Sequence, residues 1–223
     1  MHNGEGSTVE QHLQENYRLL RVSVEALVAA PGLIVVSSAL SGDGKTEVAC
    51  GLARALAECG HKTALIDTNW QHPSVAASLG IDEIAPVMQL DRIADSGRNG
   101  AVKNLEAISV ADQRFPALIS TPVMQALIAD LHSRYHYTII DSASINVGMA
   151  GLQFARFADG VLLAVRLGRA PKPADKMAIG TLERVGARVL GIVATGAQEH
   201  TPKSTSMAAF EQEPARVAVG VGV

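Results

Sequence analysis

The sequence predicts a single doubly wound α/β domain with a mostly parallel sheet. Segments rich in Val, Ile and Leu alternate with segments of helical periodicity, an order typical of a parallel sheet covered on both faces. Several apolar segments are nearly unbroken, as expected of strands that are buried on both faces. The length of 223 residues suffices for one core. The predicted strands are 33–38, 63–67, 105–110, 137–141, 160–166 and 188–194, and the predicted helices are 9–29, 45–58, 121–134, 149–157 and 173–186.

Three regions follow one another along the chain. Residues 1–30 contain an N-terminal helix, and residues 31–197 contain the alternating strands and helices of the core. Residues 198–223 lose this periodicity and end in alternating Gly and Val, so we predict a mobile tail.

The composition argues against some classes of function and indicates where the chain is expected to be located. A net charge of −3 argues against a general nucleic-acid surface. Apolar runs stay shorter than the roughly 18 residues of a membrane span, and the N-terminus lacks a signal-peptide core. These features predict a cytoplasmic protein that reaches a membrane only through a partner. Cys50 and Cys59 have neither metal nor redox spacing, so we expect reduced thiols.

The first predicted strand leads directly into a glycine-rich loop and a helix. Gly42 and Gly44 allow a tight turn and a close approach of the backbone to a ligand. Loop amides at a helix N-terminus favour phosphate. Lys45 can reach terminal phosphates, and the Thr46 hydroxyl can bind Mg²⁺. Ala39 stands where the usual pattern begins with Gly, and a strand-helix turn without a ligand is the alternative. The pattern predicts a P-loop NTPase whose nucleotide contacts include Ser41, Gly42, Asp43, Gly44, Lys45, Thr46 and Glu47.

Two acidic residues end predicted strands of this sheet. Asp67 follows Ala64–Ile66, and Asp141 follows Thr138–Ile140. Ligands bind at the carboxyl ends of strands in open parallel sheets, and P-loop proteins need acids that hold Mg²⁺ and orient the attacking group. We therefore predict roles for both carboxylates in nucleotide chemistry. A structural cap for the following turn or helix is the alternative for each.

These motifs together resemble the bacterial tyrosine kinases (BY-kinases) of capsule and exopolysaccharide synthesis, within the MinD/ParA-like P-loop ATPases. The resemblance runs from about residue 15 to about residue 196 and includes 67–74 and 135–142. It implies ATP and Mg²⁺ as cofactors, and a membrane-embedded polysaccharide co-polymerase or chain-length regulator as partner. By the same resemblance, Lys45, Asp67 and Asp141 are catalytic, Thr46, Asp67, Asn69 and Asp141 bind Mg²⁺, and Thr195 lies near the adenine.

One helical motif separates the BY-kinases from their ATPase relatives. Glu15, Arg18 and Arg21 match the family's Glu-x-x-Arg-x-x-Arg pattern, which implies ring-like, head-to-tail self-assembly through this helix. An acid and two guanidiniums along one helix can pair with a neighbouring chain. The alternative is a solvated helix face with local ion pairs.

The sequence departs from the family where phosphoryl transfer is concerned. Asn69 and Gln71 replace the Asp and Arg of the second motif, which removes a negative charge from a Mg²⁺ site and an arginine fork. None of the three tyrosines lies in the tail. We therefore predict a divergent BY-kinase-like ATP-binding protein with weak or absent tyrosine autophosphorylation. The alternatives are a nucleotide-gated assembly module without catalysis and a ParA/MinD-like positioning ATPase, in which a signature lysine occupies the place of Leu40.

Overall fold

The chain folds around one large sheet. The computed structural model describes residues 5–69, 73–81, 86–87, 98–99, 102–110, 120–146, 149–168, 173–197 and 217–222. The helices are α1 (Glu5–Leu27), α2 (Lys45–Glu58), α3 (Val75–Leu79), α4 (Thr121–Arg134), α5 (Met149–Phe157) and α6 (Pro173–Arg184). The strands are β1 (Gly32–Ser38), β2 (Thr63–Asp67), β3 (Pro86–Val87), β4 (Arg98–Asn99), β5 (Leu105–Val110), β6 (Tyr137–Asp141), β7 (Gly160–Arg166), β8 (Val189–Ala197) and β9 (Val217–Gly222).

The order of the strands confirms the predicted fold class. Eight strands follow the order β3-β5-β2-β6-β1-β7-β8-β9, and β4 pairs with β5 from outside this path. The pair β4–β5 is antiparallel, and the other pairs are parallel. All six predicted strands and all five predicted helices are present within a few residues of the expected ends. The sheet is therefore mostly parallel and doubly wound.

Strand β9 corrects the expectation of a mobile tail at residues 217–222. These residues pair in parallel with β8, from Gly191↔Val217 to Ala197↔Gly222. Their alternation of Val and Gly predicts no strand by itself, because Gly has low strand propensity. The hydrogen-bonding edge of β8 supplies the partner that makes this segment a strand. The rest of the predicted tail, 198–216 and residue 223, lies outside the described residues.

Two apolar layers cover the sheet. Strand β1 contributes Ile34 and Val36 to the layer that also contains α1 and α2. It contributes Leu33 and Val35 to the opposite layer, with side chains from α4, α5 and α6. All seven residues of β1 are buried, which explains its unbroken apolar pattern. Among the described residues, no helix combines the length and the apolar character that crossing a membrane requires.

The register of the sheet positions the candidate site. Asp141 lies beside Val36 of β1 and beside Asp67 of β2, at the carboxyl ends of three adjacent strands. The glycine-rich loop leaves β1 at this same edge and leads into α2. Residues that are far apart in the sequence therefore converge around the start of α2.

Candidate functional site

The loop between β1 and α2 requires glycine at two positions. Gly42 and Gly44 have φ values of 84° and 80°, in the left-handed region that favours glycine. A Cβ atom on Gly44 would lie 3.0 Å from Cγ2 of Thr195. Backbone conformation and close packing therefore both disfavour larger side chains at Gly44.

Three polar contacts support the backbone of the loop. The Thr195 hydroxyl donates a hydrogen bond of 2.8 Å to the carbonyl oxygen of Asp43. The buried Asp43 side chain accepts a bond of 3.3 Å from the amide of Leu40. Asn146 Nδ2 donates to the carbonyl oxygen of Ala39 over 3.1 Å. Thr195, predicted near the adenine, is 2% exposed and supports the loop through its contact with Asp43.

The first turn of α2 places Lys45 and Thr46 beside the two strand-end acids. The Thr46 hydroxyl donates to Asp141 Oδ2 over 2.7 Å and accepts from Ser74 Oγ over 3.2 Å. The charge of Lys45 opposes the rise in the pKa of both Asp67 and Asp141. The geometry thus brings together Lys45, Thr46 and both predicted acids.

The carboxylate of Asp67 accepts hydrogen bonds from three backbone amides. Its Oδ1 accepts from the amide of Asn69 over 2.9 Å, and its Oδ2 accepts from the amides of Ser74 and Val75 over 3.0 and 3.2 Å. Burial raises the pKa of Asp67, and the three amides oppose that rise. These contacts fix the start of α3, which is the capping role that the sequence left as an alternative. Asn69 lies next to this carboxylate, half-buried.

Asp141 keeps one carboxylate oxygen without a partner. The residue is fully buried, and Oδ1 accepts no hydrogen bond from the described part of the chain. Burial, followed by the negative charge of Asp67, raises the pKa of Asp141 from its ordinary value of 3.8 to about 7. A buried, unpaired carboxylate oxygen next to a threonine hydroxyl fits a hard divalent cation, which prefers oxygen ligands. Thr46 and Asp141 are therefore suited to hold Mg²⁺.

Further residues complete the site without having been predicted. Arg166, at the end of β7, donates to the carbonyl oxygen of Gly42 over 3.4 Å. The Thr68 hydroxyl donates to the carbonyl oxygen of Asp141 over 2.9 Å, and Ser74 contacts Thr46 as described above. A basic residue at the carboxyl end of a strand adjacent to β1 was a usable signal for Arg166. No sequence pattern indicated the contacts of Thr68 and Ser74.

The remaining predicted residues lie on or near α1. The backbone carbonyl of Glu47 accepts from the Tyr17 hydroxyl over 3.2 Å, and Glu47 lines a cavity of about 190 Å³ between α1 and α2. Glu15 and Arg18 form an exposed ion pair of 3.1 Å within α1. Arg21 instead pairs with Glu25 in a less exposed position. Gln71, a departure from the second motif, lies outside the described residues.

Comparison of the sequence with known proteins identifies a family and several relatives. The family model of the CobQ/CobB/MinD/ParA nucleotide binding domain matches residues 34–218. CpsD, a tyrosine-protein kinase of Streptococcus pneumoniae, is 25% identical over 187 residues, which cover 81% of this chain and 82% of CpsD. ExoP of Rhizobium meliloti, a succinoglycan biosynthesis transport protein, is 24% identical over 80% of this chain. MinD of Synechocystis, a septum site-determining protein, is 29% identical over 68% of this chain. The chain spans 24% of ExoP and 59% of MinD.

Solved structures share the fold. The chimerical protein CapA2B2 superimposes with a TM-score of 0.71 at 24% identity, covering 81% of this chain and 83% of the chimera. The kinase domain of Escherichia coli ETK gives 0.70 at 18% identity, covering 86% and 79%. Pyrococcus horikoshii MinD in complex with Mg-ADP gives 0.57 at 19% identity, covering 74% and 70%. At these identities the likeness establishes the fold.

Proposed function

Because the chain belongs to the CobQ/CobB/MinD/ParA nucleotide binding domain family, where it is a distant relative of the bacterial tyrosine kinases, we propose that it binds Mg-ATP and regulates capsule or exopolysaccharide production. We further propose that its tyrosine autophosphorylation is weak or absent. The observation that carries the nucleotide proposal is the contact of Thr46 with Asp141 at the end of a glycine-rich loop, where Oδ1 of Asp141 has no hydrogen-bond partner among the described residues.

Each residue of the site has a proposed part in binding. The amides of Ser41–Gly44 and the ammonium group of Lys45 bind phosphate oxygens, because the loop opens at the positive end of α2. Thr46 and Asp141 bind Mg²⁺ directly. Asp67, which accepts a hydrogen bond from the amide of Asn69, adds negative charge beside the same ion. Bound Mg²⁺ would neutralise charge on the β- and γ-phosphates. Arg166 and Thr195 hold the loop in the conformation that binds the phosphates, through hydrogen bonds to loop carbonyl oxygens.

The tyrosines support the proposal of weak autophosphorylation. The chain has three tyrosines, and Tyr17, Tyr135 and Tyr137 are all buried. Their hydroxyls donate to the carbonyl of Glu47 over 3.2 Å, to Glu106 Oε2 over 2.6 Å and to the carbonyl of Val28 over 3.1 Å. A buried hydroxyl in a hydrogen bond cannot reach a γ-phosphate without local unfolding. The chain thus lacks an accessible acceptor among its own tyrosines.

Nucleotide binding and phosphorylation can be tested in parallel. We expect a fluorescent ATP analogue to bind in a Mg²⁺-dependent manner, and Lys45→Ala and Thr46→Ala to weaken this binding at least about tenfold, since each removes a direct ligand of phosphate or metal. Lys103→Ala, a change at an exposed lysine outside the loop, serves as control. Incubation with radiolabelled ATP should leave the chain without phosphotyrosine. Binding that ignores both substitutions contradicts the first part, and robust phosphotyrosine contradicts the second.

The proposed function in polysaccharide production requires a membrane partner. In ExoP the region similar to this chain belongs to a protein about four times as long. We propose that a separate polysaccharide co-polymerase or chain-length regulator recruits this chain to the inner face of the membrane. Sedimentation of the chain with membranes that contain the co-polymerase, and its release from membranes that lack it, is the expected result. Equal sedimentation with both would reject the partner.

Self-assembly is a second candidate function, favoured by the surface of α1. The ion pair of Glu15 and Arg18 is exposed, and Leu19 and Val22 on the same helix are each more than half exposed. We propose that nucleotide occupancy controls a head-to-tail oligomer through Glu15, Arg18 and Arg21. Light scattering should then detect a larger species with Mg-ATP, and Arg18→Ala should prevent it. Arg134→Ala, at another helix arginine paired with an acid, is the matched control. A particle size that responds neither to nucleotide nor to Arg18→Ala rejects the idea.

A further inference from the structure

A thiol, an imidazole and a carboxylate converge away from the nucleotide site. Glu25 lies in the last turns of α1, Cys59 directly follows α2, and His61 lies two residues before β2. The potential ligand atoms of these three side chains lie within 4.8 Å of one another. They cluster at the amino end of β2, whereas the glycine-rich loop lies at the carboxyl ends of the strands. The cluster is therefore separate from the site of Thr46 and Asp141.

The chemistry of this cluster suits a borderline metal ion. Sulfur, imidazole nitrogen and carboxylate oxygen together are ligands of Zn²⁺, at about 2.3, 2.0 and 2.1 Å respectively. A tetrahedral ion with those bond lengths holds its ligand atoms roughly 3.3–3.6 Å apart. Glu25 Oε1 and His61 Nε2 are 2.9 Å apart, so a shift of a few tenths of an ångström would let both bind one ion. Cys59 is exposed, so a change of its side-chain rotamer can bring its sulfur to bonding distance of an ion held by Glu25 and His61.

Neighbouring groups orient two of the three ligands. Arg21 binds Oε2 of Glu25 and leaves Oε1 directed at His61. The ring of His61 packs edge-on against Tyr137, with 5.1 Å between the ring centroids. Partners of this kind fix the rotamers of metal ligands and reduce the entropy lost on binding. Glu25 and His61 keep 24% and 30% exposure of their side chains, which allows an ion to enter.

We propose that Glu25, Cys59 and His61 form a Zn²⁺ site, with water as the fourth ligand. Binding replaces the thiol proton of Cys59 with the metal and releases that proton to solvent. The ion replaces the contact between Glu25 and His61 by two metal–ligand bonds. The site links the end of α1 to the turn after α2. Zinc would therefore stabilise the packing of α1, the helix with the proposed assembly residues.

Titration with Co²⁺ tests the ligand set directly. The experiment uses the untagged full chain, treated with a chelator, kept reduced and free of nucleotide. We expect one thiolate-bound Co²⁺ per chain, detected by the near-ultraviolet charge-transfer absorption of a cobalt thiolate. An ion at Thr46 and Asp141 would give no such absorption, because that site offers oxygen ligands. Absence of the thiolate band in the wild type would overturn the proposal.

Substitutions assign the ligands. Cys59→Ser should abolish the charge-transfer band and weaken Zn²⁺ binding, measured by competition with a chromophoric chelator, at least about tenfold. His61→Ala should weaken it to a similar degree, and Zn²⁺ should raise the melting temperature of the wild type but not of either variant. Cys50→Ser is the matched control, since Cys50 is the other, buried cysteine. Wild-type affinity in Cys59→Ser, or loss of the band in Cys50→Ser, would refute the assignment.

Discussion

Replacing Asp141 with Asn should stabilise the nucleotide-free protein at alkaline pH. Asp141 is fully buried, and its Oδ1 has no hydrogen-bond partner in the described chain. When this carboxyl group ionises, the negative charge is poorly compensated and lies close to Asp67. Asparagine has the same shape without the charge, and its side-chain oxygen can still accept the hydrogen bond from Thr46. The substitution therefore removes the cost of ionisation and leaves the packing intact.

The pH dependence gives the sign and size of the effect. The pKa of Asp141 is about 7 in the folded protein, against an ordinary value of 3.8. Between these two values the folded state binds a proton that the unfolded state has lost, so stability falls as pH rises through this window. At about 1.4 kcal/mol per pH unit, the wild type loses about 3 kcal/mol between about pH 5 and about pH 8. The Asn variant lacks this loss.

Urea denaturation at both pH values measures the difference. The gain in the free energy of unfolding from Asp141→Asn should be about 3 kcal/mol larger at about pH 8 than at about pH 5. Comparing the gains cancels every effect of the substitution that does not depend on pH. Asp130→Asn, at a partly exposed helix position outside the site, is the control and should give equal effects at both pH values. Equal gains from Asp141→Asn would show that this carboxyl group titrates normally and would refute the reasoning.

Two glycine substitutions test the geometry around α2. Gly44→Ala should cost about 1–2 kcal/mol from its left-handed backbone and should weaken nucleotide binding, whereas Gly180→Ala in α6 should be neutral or stabilising. Equal urea midpoints for these two variants would contradict the loop geometry. Gly51→Ala would place a Cβ atom against the ring of Tyr17 and should cost about 1–3 kcal/mol. That cost should largely vanish in a Tyr17→Ala background; full additivity in a double-mutant cycle would count against this contact.

The fold was predictable because its central strands have a simple physical signature. Strand β1 is buried on both faces, so a continuous apolar run marks it unambiguously. The helix from Thr121 begins with proline at its first turn and was predicted at its correct bounds. Strand β9 lacks such a signature, because alternate glycines remove the side chains that would indicate a buried face. Its structure depends on pairing with β8, which no local pattern reveals.

The site was predictable where its residues are neighbours in the sequence. The spacing of Gly42, Gly44 and Lys45 was sufficient to locate the loop. The contact of Thr195 with Asp43 joins residues 152 positions apart, and only the folded sheet brings them together. The same holds for Glu25, Cys59 and His61, because spacing along the chain indicates a metal site only when ligands share a local motif.

The two strand-end acids occupy equivalent register positions but unequal surroundings. Asp67 accepts three amide hydrogen bonds, whereas Asp141 accepts one hydrogen bond from a hydroxyl and, within the described part of the chain, leaves its other oxygen unpaired. A divalent cation would relieve the cost of ionising Asp141 and would lower its pKa, so cation binding and loss of the proton are coupled. An Asp at this position therefore lowers the stability of the free protein and, in the proposed function, favours the cation-bound state. In the proposed Mg-ATP-binding function, this cost in the free protein is the counterpart of affinity for the cation.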